Sequence, residues 1–85
     1  MVYFVYVLRS KANGGKFYAG LTENVERRLN EHNSGRSKFT SAYIPWKVVH
    51  IESFSTRTEA RTREKYFKIG AGRKFIKKLM LGYGK

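Results

Sequence analysis

Eighty-five residues carrying 18 Lys and Arg against six acids, a formal charge of +12, predict one small domain (1–85) with a polyanionic partner, nucleic acid first. A content of 41% hydrophobic and 15% aromatic residues argues against a disordered basic tail, and the lack of Cys excludes disulfides and Cys-based zinc sites. Two His are too few for a His-rich metal site, and with no Asp any carboxylate ligand must come from Glu23, Glu26, Glu31, Glu52, Glu59 or Glu64.

The first element is "VYFVYVLR", residues 2 to 9, β-branched and aromatic on both alternating faces, which predicts a central strand. Its apolar part is too short to span a membrane and lacks the basic flank of a signal peptide, so a cytoplasmic protein without a membrane partner is expected. Asn13-Gly14 is a turn signal. Lys16 to Thr22 then reads as the returning strand of an antiparallel hairpin. Thr22 to Asn24 offers N-cap chemistry for a helix from Val25 to Asn33, with Gly35 helping to end it.

Residues 34 to 45 form a polar, basic loop without period, in which Pro45 biases Ile44 toward extended backbone. Trp46 to Phe54 is the third strand. Thr56 and Glu59 make a capping box for a helix expected to reach Ile69 and stop at Gly70. A last short helix follows. Phe75, Ile76, Leu79 and Met80 form its apolar stripe, Arg73, Lys74, Lys77 and Lys78 face away, and the tail 82–85 is expected to fray. The order β-β-α-β-α-α predicts an α+β fold, a three-stranded antiparallel sheet with helices packed against it.

Three groupings carry chemistry. On the first helix Val25, Arg28, Leu29 and His32 share one stripe, at about 3.6 residues per turn, whereas Arg27 lies about 100° round from Arg28, where an ordinary solvated Arg belongs. Arg28 and His32 either flank the apolar seam and snorkel outward or belong to a site. On the second helix Ala60, Glu64 and Phe67 share the core face. A carboxylate there needs an ion pair with a nearby Arg or a bound cation, and by elimination Glu64 is the candidate metal ligand. Tyr6 and Tyr18 sit mid-strand, as core packing or as site phenols, and Gly20 leaves an opening in the sheet.

The ordered set Phe4-Val5-Tyr6, Tyr18-Ala19-Gly20, Arg28, His32 and Glu64, within a match from Tyr3 to about Leu79, resembles the GIY-YIG nuclease superfamily, especially its small standalone members. The chain departs from the pattern at Phe4-Val5, at Ala19, and at Leu21, where some members carry Lys. The resemblance implies metal-dependent hydrolysis of a phosphodiester in DNA, with Mg²⁺ or Mn²⁺ on Glu64. It also implies that Arg28 offsets transition-state charge, Tyr6 is the base with Tyr18 as its neighbour, and His32 hydrogen-bonds or relays a proton. Two other classes fit the same residues. One is a nucleic-acid-binding module that grips phosphates through Lys65, Lys68, Arg73, Lys74, Lys77 and Lys78 without turnover. The other is a structural protein in which Arg28 and Glu64 form a core ion pair.

Overall fold

The computed structural model describes residues 1–12 and 16–83, with side chains through Leu79. The Asn13-Gly14 turn lies outside the described residues. Strands β1 (Tyr3–Ser10) and β2 (Phe17–Thr22) pair antiparallel, with Tyr6 opposite Gly20. Strand β3 (Trp46–Phe54) joins the other edge of β1, so the order is β2-β1-β3 and the most apolar strand is central, as its composition predicts. Three helices complete the fold: α1 (Val25–Asn33), α2 (Arg57–Tyr66) and α3 (Gly70–Tyr83). This is the expected α+β architecture.

Period-two alternation along β1 divides the interior into two clusters. Val5 and Val7 point to one face and pack with Ala19, Val49, Ala60, Phe67 and Ile76, under α2 and α3. Tyr6 and Leu8 point to the other face and pack with Trp46, Tyr18, Val25 and Leu29, under α1. A register shift between Val7 and Leu8 inserts one extra residue in β3. Val48 packs on the α1 side, and the extra residue puts Val49 and His50 together on the α2 side, where the His50 ring lies 6.0 Å from Phe67 and 5.6 Å from Phe75. Fully burying an aliphatic or Phe side chain contributes about 1.5–3 kcal/mol, so ten buried apolar residues are a workable core for a chain this small.

Local chemistry sets the helix ends. Asn24 is the N-cap of α1, its side chain accepting from the Arg27 N–H at 3.0 Å, while Thr22 Oγ1 accepts from the Asn24 N–H at 3.1 Å. Beyond the other end Gly35 takes φ +80°, which favours glycine. Asn33 then clamps α1 to β3: its side chain accepts from the Trp46 N–H and donates to the Trp46 carbonyl. Thr56 caps α2 by accepting from the Glu59 N–H.

Two expectations need correction. Helix α2 ends at Tyr66, not Ile69, and Gly70 opens α3 instead of stopping α2. The chain turns early because Phe67 drops into the core and α3 folds back tightly: a side chain at Gly72 would run into the Tyr66 carbonyl. The tail expected to fray from residue 82 is helical through Tyr83; residues 84 and 85 lie outside the described residues. The loop before β3 also has order of its own, a single 3₁₀ turn at Ser41–Tyr43 and a cis Ile44-Pro45 peptide.

Candidate functional site

Tyr6 is buried, and its ring lies over Gly20, its partner on β2. A Cβ at position 20 would stand 2.6 Å from Tyr6 Cζ, so the ring occupies the space a side chain there would need. Its hydroxyl meets His32 Nε2 at 3.0 Å, and His32 Nδ1 meets Thr40 Oγ1 at 2.9 Å. The Thr40 carbonyl accepts from Trp46 Nε1 at 2.9 Å, which ties the loop to β3. Tyr18 stacks obliquely on His32, centroids 4.9 Å apart, and lies 6.4 Å from the Tyr6 ring.

The α1 stripe divides as its spacing predicts, with one reversal. Arg27 is 65% exposed and Arg28 35%. The deepest residue of the stripe is His32, fully buried, whereas Val25 and Leu29 are only partly covered. Arg28 Nη1 donates to Glu31 Oε1 at 2.9 Å and its guanidinium also reaches the Tyr6 phenol. Glu31 and Arg28 share the exposed side of the cluster, a pairing that the i,i+3 spacing permits.

Burial sets the charge state of the Tyr6–His32 pair. Burial pushes the Tyr6 phenol up to about 12, with Tyr18 and Glu64 adding to the rise and Arg28 opposing it. Burial, helped by Arg28, holds His32 below its ordinary value, so the imidazole is neutral at pH 7. With the phenol and the imidazole both neutral, we assign the Tyr6 O–H as donor to His32 Nε2, which leaves the His32 Nδ1–H to donate to Thr40 Oγ1. The result is one line, Tyr6, His32, Thr40, with the Arg28 charge beside the phenol.

Glu64 comes from α2, on the other side of the sheet, and its charge is close enough to raise Tyr6. Between inward-facing Ala60 and Phe67 its side chain is 14% exposed. Its oxygens meet Lys68 Nζ at 3.1 Å and Arg61 Nε at 3.9 Å. The core ion pair between Arg28 and Glu64 is therefore not formed, since each has another partner. Among the described residues no three His, Asp or Glu gather as a metal cluster. A single hard oxygen donor whose counterions are two exposed cations suits Mg²⁺ or Mn²⁺, which retain several waters and need few protein ligands. The donor set fits such an ion.

Tyr6, Tyr18, Arg28 and His32 thus converge directly, with Glu64 within electrostatic reach. Of the basic residues singled out in the sequence, Lys68 and Arg73 line a cleft beside Tyr18, while Lys65, Lys74, Lys77 and Lys78 stand exposed on α2 and α3. Thr40 and Glu31 were missed. Glu31 was legible from its i,i+3 spacing to Arg28; Thr40 sits in an aperiodic loop and carries no local signal. Glu52, whose role the sequence left unsettled, accepts both arms of Arg63, from Nε at 2.7 Å and Nη2 at 3.0 Å, and pairs with His50.

A UPF0213 protein of Listeria welshimeri is 48% identical over 67 residues, covering 78% of this chain and 72% of its own length. A UPF0213 protein of Bacillus licheniformis is 45% identical over 67 residues, covering 78% and 67%. The solution NMR structure of a UPF0213 protein from Bacillus halodurans superposes with a TM-score of 0.56 at 33% identity, covering 95% of this chain and 85% of that one. Residues 2–75 match the GIY-YIG catalytic domain, and the chain belongs to the GIY-YIG family, whose domain is that of a nuclease.

Proposed function

We propose that this protein is an endonuclease that hydrolyses phosphodiester bonds in DNA with the help of one Mg²⁺ or Mn²⁺. The observation that carries this reading is the convergence at the β2 edge of two phenols, a guanidinium and a neutral imidazole, with a carboxylate in electrostatic reach. Glu64 would hold the metal, which when bound supplies Lewis acidity at the phosphate and at the leaving oxygen. Arg28 sits at the rim, where its fork of donors can face the charge that grows on the phosphoryl oxygens.

Water is the nucleophile, and its proton needs a destination. Tyr6 cannot stand as a phenolate near pH 7 when its phenol titrates at about 12. It can act as a relay: as its oxygen takes the proton from water, its own proton passes along the 3.0 Å bond to His32 Nε2. No free phenolate forms. Thr40 keeps His32 in the tautomer that leaves Nε2 open to receive. Tyr18 packs against His32 and orients it.

The test is nicking of supercoiled DNA with Mg²⁺ or Mn²⁺. Wild type is expected to nick; Glu64→Ala, Arg28→Ala and Tyr6→Phe are expected to lose at least about 10²-fold, the scale of one electrostatic or acid–base contribution. Cleavage that survives both Glu64→Ala and EDTA overturns the mechanism. DNA binding without turnover in wild type points instead to the binding-module reading.

A further inference from the structure

Phe39 is 68% exposed although it is a large aromatic side chain. A single exposed apolar residue needs no explanation. Phe39, however, forms a wall. Its ring lies 6.2 Å from that of Tyr18, and the two bound a cleft of ≈ 340 Å³ together with Phe17, Phe67, Lys68 and Arg73. That volume is within the usual range for ligand pockets, about 300–1,000 Å³. The cleft straddles the outer edge of β2, since Tyr18 belongs to the α1 side of the sheet and Phe67 to the α2 side.

Its lining is aromatic and its charged members are cations. Arg73 lies 5.7 Å from the Phe17 ring, and Lys68 is the residue that also holds Glu64. Rings interleaved with cations match a nucleotide whose base has left the stack: the base presents a π-face to an aromatic wall and the phosphate meets the cations. Paired bases in a duplex present only their edges in the grooves. The cleft shares Tyr18 with the Tyr6 group and Lys68 with Glu64, so an occupant is continuous with the site of cleavage.

We propose that this cleft is a base-binding subsite that takes one unpaired base, stacked on Phe39 with its phosphate on Arg73 and Lys68. The chain would thereby prefer DNA that is single-stranded or frayed beside the bond to be cut. The inference rests on the nuclease reading for its direction of approach, but its test does not use cleavage.

In EDTA, anisotropy of a labelled single strand is compared with that of a GC-rich blunt duplex of the same length. Phe39→Ala is expected to weaken single-strand binding by about 5- to 100-fold, the scale of losing one stacked base, and to leave duplex binding unchanged. Because Phe39 is exposed, the substitution leaves the core intact, and a thermal melt matching wild type checks this. Phe39→Trp is expected to keep the affinity and place an exposed indole in the cleft, quenched by the single strand and not by the duplex. Arg73→Ala is expected to reduce the salt dependence of single-strand binding by about 0.7 in log–log slope, whereas Phe39→Ala leaves it unchanged. A ribose strand of the same sequence shows which sugar is accepted; with either sugar the preference must vanish in Phe39→Ala. Equal losses on single strand and duplex, no loss on either, or quenching by both overturns the subsite. Loss of nicking on its own, with the Phe39 selectivity intact, counts against the catalytic reading and leaves the subsite standing.

Discussion

Gly20→Ala sets two physical effects against each other. Gly20 lies in β2, opposite Tyr6, and its backbone is ordinary extended strand; among the described glycines only Gly35 has positive φ. On backbone grounds Ala should therefore stabilise, by about 0.5–1 kcal/mol. The contact says otherwise. The new Cβ would sit 2.6 Å from Tyr6 Cζ and 3.0 Å from Cε1, and carbon pairs rest at about 3.5–4.0 Å, so the ring must move by about 1 Å. It cannot swing away freely, because its hydroxyl is bonded to buried His32. Overpacking of this kind costs about 1–3 kcal/mol, and with the ring held at its hydroxyl the upper half of that range, about 2–3 kcal/mol, applies, so the clash wins by about 1–2 kcal/mol. Circular-dichroism melts should show Tm lower by about 5–15 °C, and nicking should fall about 10²-fold with the displaced phenol. In a Tyr6→Leu background, where no ring overlies position 20, Gly20→Ala should instead be neutral or stabilising. A Tm at or above wild type with unchanged nicking would show that Tyr6 does not lie over Gly20 and would refute the reasoning.

Thr40→Val keeps the shape but leaves Nδ1 of fully buried His32 without a hydrogen-bond partner; chemical denaturation should show a loss of about 1–3 kcal/mol, largely restored in Thr40→Ser. Tyr6 binds its proton more tightly folded than unfolded, so its stabilisation is present in full below pH 10 and is lost as pH rises toward 12. Urea titrations should show wild type losing about 2–3 kcal/mol relative to Tyr6→Phe across that window. His32 has the opposite sign: its proton affinity is depressed on folding, so stability present above its ordinary value of 6.5 falls as the pH drops below it, and His32→Gln should flatten that limb of a Tm–pH profile. At Glu52, burial acts to raise the carboxyl, yet Arg63 and His50 outweigh it and hold the group below 4.5. Glu52→Gln should lower stability by about 1 kcal/mol at neutral pH, with the difference shrinking in acid melts.

The parts of this fold that announce themselves are those with local causes. The ends of α1 follow from Asn24 as a cap and a glycine two residues past Asn33, and β3 starts directly after Pro45. Tyr6, Tyr18, Arg28, His32 and Glu64 stand out because each is polar on an inward stripe or fits an ordered motif. What stayed hidden depends on distant contacts. The pairing of β3 with β1 is one such case, and so is the end of α2, set by where α3 folds back onto Tyr66. Thr40 is another: it is eight residues from His32 in a loop with no period, and only the fold brings its hydroxyl to Nδ1.

The burial pattern explains how such a small chain can hold a polar site. The α1-side cluster is built from Tyr6, Leu8 and Trp46, with Tyr18, Val25, Leu29 and Tyr43 packed on it. Tyr6 and His32 are therefore core residues, and the hydrogen bond between them is a structural bond as well. No buried side-chain polar atom among the described residues lacks a partner, so the line from Tyr6 through His32 to Thr40 carries little desolvation penalty in the resting fold. That economy has a consequence for mutagenesis. Tyr6→Phe removes the donor to His32 Nε2 and strands a buried acceptor, so a loss of activity alone cannot distinguish chemistry from unfolding. Arg28 is the cleaner probe. It is 35% exposed and bridges the cluster to Glu31 at the surface. Arg28→Lys should keep the fold and a positive charge while losing the fork. A large fall in kcat with Tm within a few degrees of wild type would assign Arg28 to transition-state charge; a proportionate fall in both would assign it to packing.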